Sequence, residues 1–325
     1  MVEEFRNRHA VRIADLRVDY GDHVAVEGLS FEIPPGEIFG LIGPNGAGKT
    51  STLRVLATLL EPTYGEVQIC GIDIAEERKR VRRLLGYMPD LAPVPTDLKV
   101  WEFLDLFASS HGLKRVARRA KITEALAHVQ LTDRRDDQCR GLSRGMKQRL
   151  ALAKTMLHEP KVMLLDEPAS GMDPVSRTAL RTTLQELSRR GTTIMVSSHI
   201  LTELSAMCTS LGIMSKGHLV ASGSVDTVLK QFGEGKVLTI DLLDGEEQAC
   251  AVLEAHTEVS SVDRQGQRFT VPFTGDHEAQ ASLLESLLEA GCRVHGFSEK
   301  TRDIESILLG LEAPATTQQT ATTDV

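Results

Sequence analysis

The strongest chemical signal in the chain is a glycine-rich segment with a lysine and a hydroxyl at fixed spacing. Residues 43–50 read GPNGAGKT and match the pattern GxxxxGK[ST]. Glycines let backbone N–H groups face an anion, the lysine adds a positive charge, and the hydroxyl can bind Mg²⁺. We call this segment the phosphate loop and expect it, with the next residue, to hold the phosphates of a nucleotide. Its residues are Gly43, Pro44, Asn45, Gly46, Ala47, Gly48, Lys49, Thr50 and the adjoining Ser51.

Two carboxylates end another apolar segment. Asp166 and Glu167 follow Leu164 and Leu165 directly. Beside a phosphate loop, an aspartate in this position can hold Mg²⁺, and the next glutamate can polarise an attacking water. Together the two motifs predict a nucleoside triphosphatase. They leave open whether it is a transporter subunit, a kinase, a GTPase or a helicase.

The pattern of apolar residues predicts how these motifs are positioned. A short apolar strand at 37–42 runs into the phosphate loop, and a helix begins near Lys49. Further strands at 161–165 and 192–197 flank a helix at 176–190. Because strands and helices alternate, we expect an α/β fold with a parallel sheet covered by helices. Alternating residues at 11–33 add an antiparallel part, so that the central sheet is mixed.

Two further regions have their own patterns. Helical spacing predicts a helical subdomain at about 91–157. After a linker at 226–235, the order strand–helix–strand–strand–helix–strand at 236–311 predicts a small ferredoxin-like α+β domain, which we expect to be accessory or regulatory. The second strand of this domain is expected near 257–263. The polar residues 312–325 are typical of a disordered tail.

Composition narrows the classes of function. With 325 residues, the chain is long enough for two domains. Its net charge of −8 argues against a general nucleic-acid binder, so no nucleic-acid partner is expected. Five scattered cysteines favour reduced, structural thiols. No apolar run approaches the ~18 residues that a membrane-spanning helix needs, and the first residues lack a signal-peptide core, so we expect a cytoplasmic or peripheral protein.

Further motifs follow one another in an order that resembles the ATP-binding-cassette (ABC) ATPases. The segment that begins at Gly141 and reads GLSRGMKQRL resembles the signature motif of that family. Asp90 lies where the family has a glutamine loop, and His199 resembles the switch histidine. Tyr20 matches the aromatic residue that stacks on adenine, and the segment ending in Asp173 resembles the D-loop. The match covers about residues 10–225, which we take as the nucleotide-binding domain.

The resemblance implies a mechanism with ATP and Mg²⁺. Lys49 and the phosphate loop would hold phosphate, Thr50, Asp166 and Asp90 would hold Mg²⁺, and Glu167 would activate water. His199 would stabilise the γ-phosphate. Ser143 and Gly145 would act on the ATP of a second subunit, because one chain has a single phosphate loop and a single signature. A homodimer, or a heterodimer with a related ATPase chain, is therefore expected.

Three positions depart from the usual motifs and affect the interpretation. Asp90 replaces glutamine in the glutamine loop, and Arg144 and Met146 stand where the common signature has glycine and glutamine. These variants resemble the exporter branch for drugs, polysaccharides and lipids, which implies separate integral membrane permease subunits and a position on the cytoplasmic face of the membrane. Two alternatives stay open: a soluble ABC ATPase without a membrane partner, and a regulatory nucleotide-binding module with low turnover.

Overall fold

The computed structural model describes residues 9–228, 236–259 and 261–301. These residues form two compact units, which divide between Val225 and Asp226. No helix among them is long and apolar enough to cross a membrane. The expected tail at 312–325, the residues 302–311 of the accessory domain and the linker residues 229–235 lie outside the described residues.

The first unit is built on two sheets. The smaller sheet has the order β2–β1–β4–β5 and is antiparallel. The larger sheet has the order β10–β9–β3–β8–β7–β6 and is parallel except for its edge strand β10. The strands are β1 Val11–Tyr20, β2 His23–Ile33, β3 Ile38–Ile42, β4 Tyr64–Ile69, β5 Ile72–Asp73, β6 Leu85–Met88, β7 Val162–Asp166, β8 Thr193–Ser198, β9 Ser210–Ser215 and β10 His218–Ser224. The mixed α/β architecture predicted from the sequence is confirmed.

Helices cover this framework and supply the helical region. Three of them, α3, α4 and α5, pack on one another. Every residue of the strands β3, β7 and β8 is buried, as expected for central strands covered on both faces. The helices of this unit are α1 Lys49–Leu56, α2 Arg78–Leu84, α3 Val100–Ser110, α4 Arg115–His128, α5 Arg144–Met156, α6 Pro174–Arg189 and α7 Leu201–Ser205.

The second unit has the predicted order of elements and sheet topology. Its strands are β11 Lys236–Asp244, β12 Asp263–Gln265, β13 Arg268–Phe273 and β14 Arg293–Thr301, and its helices are α8 Glu246–Ala255 and α9 His277–Glu289. The strands form an antiparallel sheet in the order β12–β13–β11–β14. The strand expected near 257–263 begins only at Asp263, because β12 is an exposed edge strand of polar residues and no apolar pattern marks it.

Candidate functional site

The phosphate loop joins the central strand β3 to helix α1. Gly46 and Gly48 adopt positive φ angles of 82° and 101°, a region that favours glycine. A Cβ atom at Gly48 would also lie 2.5 Å from the carbonyl oxygen of Ala25. Among the described residues, no side chain caps the N-terminus of α1. The loop can therefore present backbone N–H groups and the positive end of the helix dipole to an anion.

A cleft of about 280 Å³ opens beside the phosphate loop. Most of the residues that the sequence predicts to bind the nucleotide line it. The full lining is Tyr20, His23, Ala25, Asn45, Gly46, Ala47, Gly48, Lys49, Thr50, Ser51, Asp90 and Glu167. Tyr20 is partly exposed, and its hydroxyl lies 3.4 Å from Ser51 Oγ, so its ring stands at the rim of the cleft. The positions of His23 and Ala25 in the wall were not anticipated from the sequence.

Lys49 is the cation of the cleft, and it is buried. Its Nζ donates hydrogen bonds to the carbonyl oxygens of Gly43 and Pro44, at 2.6 and 3.1 Å. Burial lowers the pKa of Lys49, while the negative charges of Glu167 and Asp166 act in the opposite direction. Keeping the buried ammonium charged therefore costs solvation free energy. The negative charge of an incoming phosphate would offset that cost.

The carboxylate of Glu167 lies between two basic groups. One of its oxygens is 4.0 Å from Lys49 Nζ, and both are 3.0 Å from His199 Nδ1. The Glu167 backbone has a φ of 46°, which is uncommon for a residue other than glycine. Glu167 and His199, which stand 32 positions apart in sequence, are thus in contact, and Glu167 lines the cleft.

Ser197 links the two adjacent carboxylate residues and is the main site residue that the sequence analysis missed. Its hydroxyl donates to Asp166 Oδ1 at 2.6 Å and accepts a hydrogen bond from the Glu167 N–H at 3.1 Å. Asp166 pairs with Ser197 across the parallel strands β7 and β8. A serine at the end of an apolar strand is a weak signal, and the strand pairing is what gives it a role.

Asp90 lines the cleft and has a carboxylate oxygen without a hydrogen-bond partner among the described residues. Its Oδ1 atom is buried and has no hydrogen-bond partner. Its backbone carbonyl accepts a hydrogen bond from Gln148 Nε2 at 2.8 Å, which ties the loop to helix α5. Since carboxylate oxygens are ligands that Mg²⁺ prefers, the unpaired Oδ1 of Asp90 fits a metal ion in the cleft that Thr50 also lines.

Seven predicted residues, all within the described part of the chain, are absent from the lining of this cleft. Four of them, Gly43, Pro44, Asp166 and His199, contact Lys49, Ser197 or Glu167 as described above, and the other three are Ser143, Gly145 and Asp173. Ser143 Oγ accepts a hydrogen bond from the Met146 N–H and caps α5. Gly145 lies in the first turn of that helix. Asp173 caps α6 through two hydrogen bonds from Ser176, which lower the pKa of its carboxyl. Each of the two caps has a local structural role whether or not it also meets a ligand.

Comparisons with known proteins point in one direction. A family model described as "ABC transporter" matches residues 26–170. The chain is 35% identical over 213 residues to the Nod factor export ATP-binding protein I of Cupriavidus metallidurans, which covers 66% of this chain and 70% of that protein. It is 30% identical over 302 residues to the daunorubicin resistance ATP-binding protein DrrA3 of Streptomyces coeruleorubidus, covering 93% and 95%. A solved ATP-binding subunit of an ABC transporter matches with a TM-score of 0.64 and 31% identity, over 69% of this chain and 93% of that one.

Replacing Ser197 tests whether it holds the carboxylates in place. Ser197→Ala leaves the buried Asp166 Oδ1 without this donor and the Glu167 N–H without its acceptor. We expect the free energy of unfolding to fall by about 1–3 kcal/mol, the usual effect of unpaired buried polar groups. Chemical denaturation measures it. Ser197→Thr keeps the hydroxyl and should recover most of the loss, and Ser205→Ala is the control. Equal stability of Ser197→Ala and the unaltered protein would contradict the assignment.

Proposed function

Because the chain belongs to the ABC family of transporter ATP-binding proteins, we propose that it is the ATP-hydrolysing subunit of an exporter. One observation supports hydrolysis above all: Glu167 lines the phosphate cleft, and its carboxylate lies between Lys49 and His199. The names of these relatives, which refer to Nod factor export and daunorubicin resistance, support export as the direction of transport.

The proposed chemistry is the transfer of a phosphoryl group to water. Such a reaction needs positioning and charge stabilisation more than covalent help from the protein. Lys49 and the backbone of the phosphate loop hold the phosphates, and Tyr20 offers a ring at the rim for the base. Glu167 accepts the proton of the attacking water. His199 holds the Glu167 carboxylate and stabilises the charge of the γ-phosphate.

Three oxygen-bearing side chains are proposed to hold Mg²⁺. They are Thr50 at the start of α1, Asp166 at the end of β7 and Asp90, whose buried Oδ1 has no partner. When bound, the ion neutralises phosphate charge and orients the terminal phosphate. The protein residues contribute hard oxygen ligands, which suit Mg²⁺.

A second subunit is part of the proposal. Ser143 and Gly145 lie at the start of α5, Asp173 caps α6, and none of the three lines the cleft. We propose that two cassettes, identical or related, meet head to tail, with Ser143 and Gly145 of each facing the nucleotide of the other. The helix dipole of α5 then adds a positive end to that site.

The remaining partners are proposed from the same family membership. Separate integral membrane permease subunits would form the pathway, and this chain would bind them at the cytoplasmic face of the membrane. Two other functions are compatible with the same fold: an ABC ATPase that works without a membrane partner, and a regulatory module that binds ATP with little turnover. Steady phosphate release by the purified chain would argue against the regulatory module.

The substitution Glu167→Gln tests the role of the proposed base. It keeps the shape of the side chain and removes the group that accepts the proton. We expect ATP binding to persist, while the turnover number falls at least ~100-fold, as is usual when a general base is lost. Phosphate release and equilibrium binding of Mg-ATP measure the two effects. Glu66→Gln, an exposed position on β4, is the control. A nearly normal turnover number in Glu167→Gln would refute the role.

The substitution Asp90→Asn tests the metal site without relying on turnover. The carboxylate repels the phosphates when no cation separates them. We therefore expect Asp90→Asn to bind ATP without Mg²⁺ more tightly, by roughly threefold to tenfold, and to gain less affinity when Mg²⁺ is added. Calorimetry with and without Mg²⁺ measures this, with the exposed Asp97→Asn as control. An unchanged dependence on Mg²⁺ would remove Asp90 from the metal site.

A further inference from the structure

Arg144, one of the two residues that depart from the common signature, makes a specific contact within its own chain. It is the first residue of α5 and follows the capping residue Ser143. Its Nη2 atom donates a hydrogen bond to Ser170 Oγ at 3.1 Å. Ser170 lies 26 positions away, in the turn that follows Glu167. The side chain thus connects the signature segment to the segment that carries the proposed base.

Gly171 lies next to the Arg144 side chain as well. Its φ angle of 70° favours glycine. A Cβ atom at this position would lie 2.6 Å from Arg144 Nε and 2.7 Å from Arg144 Cδ. The arginine side chain therefore lies directly against the backbone of residue 171, close to the position that a Cβ atom would take.

The turn that Arg144 touches is joined directly to Glu167. The Ser170 N–H donates to the Glu167 carbonyl oxygen at 3.0 Å, and the Met172 N–H donates to the Ala169 carbonyl oxygen at 3.1 Å. Glu167 itself has the uncommon φ of 46°, which needs support from its surroundings. A restraint on Ser170 is therefore a restraint on the backbone from which the Glu167 carboxylate projects.

We propose that Arg144 is a positioning residue for hydrolysis, which holds the turn at 168–172 and through it the backbone of Glu167. This inference rests on the proposed role of Glu167 as the base. It gives the arginine a function in its own subunit, beside Ser143, which is proposed to face the nucleotide of the other subunit. The start of α5 would then couple the two sites of a dimer, because one short segment contacts both.

The kinetic test compares Arg144→Ala with Arg144→Lys and Ser170→Ala. Arg144 does not line the cleft, so we expect Arg144→Ala to lower kcat by roughly threefold to tenfold, the effect of about one hydrogen bond, with KM for ATP unchanged. Arg144→Lys should recover part of the loss. Ser170→Ala should add little in the Arg144→Ala background, because both remove the same contact. Arg140→Ala, an exposed arginine just before the signature, is the matched control.

A second readout does not depend on turnover. Hydrogen exchange of the backbone at 168–172, measured on the nucleotide-free protein, should accelerate in Arg144→Ala and Ser170→Ala, and stay unchanged in Arg140→Ala. Unchanged exchange and unchanged kcat, or effects of the two substitutions that simply add, would overturn the proposal. So would loss of ATP-dependent dimerisation when Arg144→Ala is combined with Glu167→Gln, since Arg144 would then act between subunits.

These experiments separate the two proposals. If the unaltered protein releases no phosphate, the proposed hydrolysis fails, and the exchange data alone decide whether Arg144 restrains the turn at 168–172. If Glu167→Gln blocks turnover while Arg144→Ala changes neither kcat nor exchange, hydrolysis by Glu167 stands and the role of Arg144 fails.

Discussion

Parallel pairing of three buried strands is the constraint on which the site depends. These strands are β3, β8 and β7; β8 lies between the other two and is parallel to both. Because these strands run in one direction, their carboxyl ends meet at one edge of the sheet. The phosphate loop, the Asp166–Glu167 pair and His199 each follow one of these ends. The register that aligns Asp166 with Ser197 also places the hydroxyl that holds the two carboxylate residues.

Charge at this edge is concentrated and mostly paired. The buried Lys49 faces Glu167, which in turn contacts His199, while Asp166 has the Ser197 hydroxyl as its donor. Asp90 is the exception, with a buried oxygen that has no partner. Burial works against the charged form of Lys49, and the two neighbouring carboxylates favour it. A bound phosphate would therefore stabilise the charge of Lys49, and a bound cation would stabilise the unpaired oxygen of Asp90.

Much of this could be predicted from local sequence, because the phosphate loop and the strand that ends in Asp166 are continuous motifs. The α/β order and the ferredoxin-like topology followed from the spacing of apolar residues. What could not be predicted depends on distant contacts. Ser197 acquires its role from the pairing of β7 with β8, and Gln148 holds the backbone of Asp90 from helix α5. The short strand β12 was misplaced, since its exposed polar residues follow no apolar pattern.

The role proposed for Arg144 also depends on contacts between residues that are distant in the sequence. In the sequence it is only a departure from a motif, and its contact with Ser170 and Gly171 appears once the chain is folded. The central claim about how the protein works is that the signature segment also completes the nucleotide site of another subunit.

The solution mass of Glu167→Gln with and without Mg-ATP, measured by light scattering on a sizing column, tests that claim most directly. Since this substitution should permit binding and prevent hydrolysis, we expect a monomer without nucleotide and a dimer with it. A monomer at saturating Mg-ATP would contradict the account, because two copies of this chain would then not form the composite site.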